Sequence, residues 1–180
     1  MAKSWTPTSI WIALIAVLGF AGSASAQTPS FGVGYQLLHL PDNWVNAGFN
    51  LDVEAPLNDQ LGIVGEFGLG HQGSSGSDPV KATLYHFGGG VRWSWVGEQV
   101  RPFVQAIAGA EVTSAEIPAV GGGTFDDSDT AFMLQLGGGV YVPVGPRWGV
   151  VGQADLRPVF FNGDTDNQFR FVFGARFSLR

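Results

Sequence analysis

Residues 169–179 read Phe-Arg-Phe-Val-Phe-Gly-Ala-Arg-Phe-Ser-Leu, and their alternation limits the possible folds more than any other stretch does. Side chains on a strand point to opposite faces with a period of two. One face therefore carries Phe169, Phe171, Phe173, Ala175, Phe177 and Leu179, and the other carries Arg170, Val172, Gly174, Arg176 and Ser178. In a soluble protein the aromatic face would be the core. The same division recurs along the chain, however, with Gly, Gln and charges of both signs on the polar parity. That arrangement suits a closed barrel whose outside meets lipid and whose inside is polar.

The alternation predicts eight strands, over residues 31–39, 45–54, 61–71, 82–95, 100–112, 131–142, 148–158 and 169–179. Each is close to the ~9–11 residues that a tilted membrane strand requires. Tight connections are expected at 55–60, 96–99 and 143–146, and longer polar ones at 72–80, 113–130 and 161–168; only the hairpin around Pro41-Asp42-Asn43 is short on the long-loop side. Short turns at one end and long loops at the other match the layout of an outer-membrane barrel. The fold expected is an all-β, antiparallel, up-and-down transmembrane barrel of eight strands. Trp93, Trp95 and Trp148 fall on the lipid parity at the tight-turn end and are expected to form an interfacial girdle.

Lys3, the apolar run 10–20 and the small-residue tail Ala24-Ser25-Ala26 read as a secretory signal cleaved after Ala26. Residues 1–26 are thus expected to be a signal peptide and 27–180 the barrel domain. The apolar run is shorter than the ~20 residues of a membrane helix. The chain carries a net charge of −6, which makes it a poor nucleic-acid binder. It has no cysteine, which fits an exported protein without diagnosing a compartment.

With these features, from Phe31 to Leu179, the chain resembles the OmpA-like eight-stranded outer-membrane β-barrel family. The resemblance rests on strand count, turn alternation, the run Arg101-Pro102-Phe103-Val104-Gln105-Ala106 opening a middle strand, and the closing Gly174-Ala175-Arg176-Phe177-Ser178-Leu179. It implies residence in the bacterial outer membrane, contact with its lipid and lipopolysaccharide, and delivery by the outer-membrane assembly machinery. In such families the last strand serves as an assembly signal and usually ends in an aromatic residue; here Leu179 holds that place and Arg180 follows. A monomer is expected.

Ten charged residues fall on the inward parity. Asp52, Glu54, Arg92 and Arg101 are placed toward the tight-turn end, Glu111, Asp155, Arg157 and Arg170 toward the long-loop half, and Glu66 and Arg176 between them. An eight-stranded barrel is just wide enough for side chains to fill it, and buried charges must pair. The expectation is a structural plug of ion pairs; a narrow ion path is the alternative. His39 and His71 fall on the lipid parity and His86 points inward, a spacing that assembles no metal site. The runs Asp126-Asp127-Ser128-Asp129 and Asp164-Thr165-Asp166-Asn167 lack the full twelve-residue calcium loop. The glycine triplets 88–90, 121–123 and 137–139 lack the Lys and Ser/Thr of a phosphate loop. Some barrels of this kind are lipid A-modifying enzymes. His71-Gln72-Gly73-Ser74 is the nearest approach here to a nucleophile beside a base, and no third group orients the histidine. No catalytic, metal or cofactor residue is therefore assigned. The expected function is a structural or surface-interaction role in the outer membrane. A narrow pore, a lipid-modifying enzyme and a soluble lipocalin-type barrel are the alternatives.

Overall fold

The computed structural model describes residues 28–41, 44–45, 47–72, 81–118, 124–161 and 164–179. The signal peptide, its cleavage at Ala26, and Ser74 lie outside these residues. The strands are β1 (Ser30–His39), β2 (Trp44–Val45), β3 (Ala47–Pro56), β4 (Leu61–Gln72), β5 (Lys81–Ser94), β6 (Arg101–Pro118), β7 (Thr124–Pro143), β8 (Trp148–Phe160) and β9 (Thr165–Ser178). Each pairs antiparallel with its neighbour, and β9 returns to β1 over ten residue pairs, from Ser30↔Ser178 to His39↔Phe169. β2 and β3 are two pieces of one stave, so nine segments make a closed barrel of eight.

The apolar parity faces outward. Phe132 is 52% exposed and Phe173 57%, while Arg92, Arg157 and Arg170 are fully buried. This inversion is that of a barrel in lipid and runs against the soluble lipocalin-type alternative. The tight turns are built as their sequences suggest. The Asn58 side chain, for instance, accepts from the backbone N–H groups of Gln60 (3.0 Å) and Leu61 (2.9 Å), the local capping that makes Asn a turn residue. Trp93, Trp95 and Trp148 are exposed near this end of the wall. At the other end His39 packs edge-on against Trp44 at 4.4 Å, and Phe132 stacks with Phe160 at 5.9 Å. These two aromatic pairs are absent from the sequence reading because each joins residues of two different strands.

Three details differ from that reading. Residues 113–130 are mostly not a loop: β6 and β7 stay paired as far as Pro118↔Thr124, and β5 joins them at Lys81↔Glu116. The hydrophobic alternation fades here because the ribbon stands beyond the lipid, while backbone pairing needs no apolar face. Likewise 161–168 shortens to four residues, since β9 begins at Thr165, opposite Phe160. Finally, unbroken alternation over the strand expected at 45–54 puts Val45 on the same face as Phe49, Leu51 and Val53, and the structure does not place it there. The pairings Leu38↔Val45 and Tyr35↔Phe49 differ by one residue in register. The extra residue is a bulge, and it turns Val45 inward against Leu38 and Leu84. A second buried apolar cluster, Ala131, Met133 and Val159, lies across the lumen on β7 and β8.

Candidate functional site: the charged lumen

Long polar side chains fit inside so narrow a barrel because glycines face them. Asp52 pairs with Gly32, Glu66 with Gly88, His86 with Gly68, Arg92 with Gly62, Asp155 with Gly137 and Arg176 with Gly149. A methyl group at Gly68 would overlap the His86 imidazole, and one at Gly137 the Asp155 carboxylate. The glycines that look like flexible punctuation in the sequence are the space into which the charges fold.

The charges meet in three clusters. Near the tight turns, Arg92 donates to Asp52 (3.0 Å), Glu54 (2.8 Å) and Gln105 (2.6 and 2.9 Å). Arg176 donates to the same two carboxylates, Asp52 and Glu54. The Phe103 ring lies under the Arg92 guanidinium at 4.7 Å, a cation–π contact. In the centre, Arg170 grips both oxygens of Glu66 with two parallel bonds (2.6 and 2.9 Å), holds the single oxygen Oδ2 of Asp155 with two more (2.7 and 2.9 Å), and also donates to Asn50 (3.0 Å). Such forked charge-assisted bonds are the strongest available to side chains. His86 Nε2 sits 3.0 Å from the same guanidinium. Gln153 donates to Asp155. Gln135, with its amide oriented to satisfy both ends, donates to Glu66 and accepts from Arg170. Toward the long-loop end Arg157 donates to Glu111 (3.0 Å) and lies on the Met133 thioether, and Gln168 holds the other Glu111 oxygen at 2.8 Å. In this upper layer Arg157 Nη1 and Gln168 Oε1 are buried without a partner among the described residues.

Nine of the ten sequence-selected charges thus lie in these clusters. Arg101 does not: it is exposed, and its Nε donates to the Gly97 carbonyl at 3.0 Å. It shares the inward parity but is the first residue of β6, outside the mouth that Phe103 fills. Arg176 belongs to the tight-turn cluster rather than to an intermediate depth, and Asp155 and Arg170 are central. The sequence reading did not single out the amides Asn50, Gln135, Gln153 and Gln168 as partners; their shared parity with the charges was the available signal. Among the described residues no group of three metal-ligating side chains converges. Asp126, Asp127 and Asp129 fall on paired strand β7, not on a loop that could wrap a calcium ion. His71 Nδ1 lies 3.1 Å from Thr83 Oγ1 at the rim. A lumen of this kind ties together strands that are far apart in the sequence.

Comparisons with known proteins agree with this architecture. Residues 12–177 match the family model described as "Outer membrane protein beta-barrel domain". No curated protein matches the sequence. Among solved structures, Neisserial surface protein A superposes with a TM-score of 0.67 at 14% identity, over 87% of this chain and 99% of that one. The N-terminal β-barrel domain of Pseudomonas aeruginosa OprF gives 0.57 at 13% identity, over 85% and 98%. The attachment invasion locus protein Ail of Yersinia pestis gives 0.54 at 19% identity, over 83% and 97%. At these identities the likeness is one of fold.

Proposed function

Since this chain belongs to the outer membrane protein beta-barrel domain family, we propose that it is a closed, non-catalytic barrel of the bacterial outer membrane whose lumen is a structural plug and whose β5–β6–β7 extension meets the surroundings. The long-loop end then faces outward and the tight turns face the periplasm. The observation that carries the plug is the central clamp: one fully buried guanidinium holds carboxylates from β4 and β8 and an amide from β3. An ion crossing the lumen would have to break these bonds.

Neighbours do not transfer a ligand. Ail has been solved with the heparin analogue sucrose octasulfate. Here β7 carries the acidic run Asp126-Asp127-Ser128-Asp129, a charge that repels a polyanion. The partners proposed are outer-membrane lipid and lipopolysaccharide around the wall, and the assembly machinery during insertion, with the protein a monomer.

Planar-bilayer recording tests the plug. The reconstituted protein is expected to stay silent, and Arg170→Ala to open discrete steps. Discrete steps in the unmodified protein, changing with Arg92→Ala or Glu111→Ala, would replace the plug by a narrow pore.

A further inference from the structure

Among the described residues, His86 is the buried side chain of the lumen whose type changes charge near neutral pH. It stands at the central clamp. Its Nε2 lies 3.0 Å from Arg170 Nη1 and 3.6 Å from Glu66 Oε1. The same Glu66 oxygen accepts from Arg170 Nη1 at 2.6 Å. An imidazole nitrogen, a guanidinium nitrogen and one carboxylate oxygen thus form a closed triangle. A neutral imidazole adds no charge there. A protonated one carries a hydrogen on both ring nitrogens. It then sets a second cation beside Arg170, and both cations address one oxygen of Glu66.

The division of charge among the three clusters is a second, independent observation. The tight-turn cluster sets Asp52 and Glu54 against Arg92 and Arg176. The upper layer sets Glu111 against Arg157. Both are balanced. The central cluster sets two carboxylates, Glu66 and Asp155, against the single guanidinium of Arg170. It is one positive charge short, and His86 is the titratable group lying against it. The remaining surroundings of His86 are accounted for strand by strand. Glu111 is its registered neighbour on β6 and is already held by Arg157 and Gln168. Arg157 on β8 adds a second positive charge to its environment. Asn50 on β3 and Gln135 on β7 contribute uncharged amides to the cluster. Glu66 is therefore the carboxylate open to a protonated His86.

We propose that His86 makes the plug acid-responsive: on gaining a proton it takes Glu66 over from Arg170, the tie between β4 and β9 loosens, and the lumen passes ions. Arg170 keeps Asp155 through the exchange, so each carboxylate retains a cation and the barrel stays folded. The proposal rests on the plug described above. The plug fails by conducting at neutral pH, and the switch fails by staying shut in acid, so the two failures are distinct.

The test is planar-bilayer recording of the full protein as the pH on both sides is lowered from about 7 to about 5, the window in which histidine changes charge and which lies above the ~4 of ordinary carboxylates. Silence is expected at the upper limit. Discrete openings are expected below it, with a frequency rising about tenfold per pH unit, the slope of a single proton. His86→Gln carries no titrating group and is expected to stay silent throughout, its folding checked by heat-dependent gel mobility; His86→Asn serves if that variant does not fold. His39→Gln and His71→Gln, at the rim, are expected to leave the response intact. Side-chain nitrogen NMR in micelles is expected to show His86 and Arg170 Nε shifting together over the same pH range. Silence of the folded protein in acid, openings that survive in His86→Gln, an Arg170 signal indifferent to pH, or acid unfolding in place of opening would each overturn the proposal.

Discussion

Arg170 is the side chain whose removal should do most damage, and the size of the loss follows from its surroundings. Its guanidinium is fully buried and makes four bonds to Glu66 and Asp155, all between 2.6 and 2.9 Å. In Arg170→Met the volume is nearly kept, but two buried carboxylates lose their shared cation. Gln153 still donates to Asp155, whereas Glu66 retains no other cation among the described residues. Breaking a buried pair from one side typically costs about 3–5 kcal/mol, because a charge is left uncompensated. Arg176→Met is the control. It sits at the mouth, its side chain 11% exposed, and its partners Asp52 and Glu54 keep Arg92; a loss of about 1 kcal/mol is expected, near that of exposed pairs. The assay is equilibrium urea unfolding of the protein in micelles, followed by tryptophan fluorescence and by heat-dependent gel mobility. The triple variant Glu66→Gln, Asp155→Asn, Arg170→Met removes the orphaned charges and is expected to recover most of the loss. A loss below about 1 kcal/mol in Arg170→Met, or a triple variant no better than the single one, would refute the claim that uncompensated charge sets the magnitude.

Two further outcomes follow from the wall. Gly68→Val drives a branched side chain into the His86 imidazole and should cost about 1–3 kcal/mol by overpacking, recovered in Gly68→Val/His86→Ala by the same unfolding assay; no recovery would mean that the glycine serves the backbone instead. Phe173→Arg puts a cation on a face that is 57% exposed and should cost about 2–4 kcal/mol in lipid vesicles. An unchanged folding free energy there would mean that this face does not meet hydrocarbon.

The parts of this fold legible from sequence were those written in side-chain polarity. Phe169, Phe171 and Phe173 against Arg170 and Val172 define the inside and outside of β9, and the structure keeps that division. What stayed hidden depends on register and reach. The Val45 inversion follows from one extra residue, which polarity cannot reveal because valine suits either face. The ribbon from Thr113 to Thr130 looked like loop because pairing outside lipid leaves no apolar signature. Arg101 kept its parity but lost its place, since depth is set by where a strand begins. Nor could one strand's sequence show that Gly137 exists for Asp155, a relation made only by pairing β7 with β8.

The central clamp also dictates the order in which the barrel can be completed. Glu66 and Arg170 lie 104 residues apart in sequence, Asn50 and Arg170 120 apart, and Arg176 reaches back 122 residues to Glu54. Until β9 arrives, the acids of β3 and β4 have only part of their countercharge, so a seven-stave sheet would carry an incompletely neutralised polar face into the bilayer. A sheet without β9 would therefore meet a higher desolvation cost on entering lipid than the closed barrel does. The last strand acts as the zipper pull as well as the last stave.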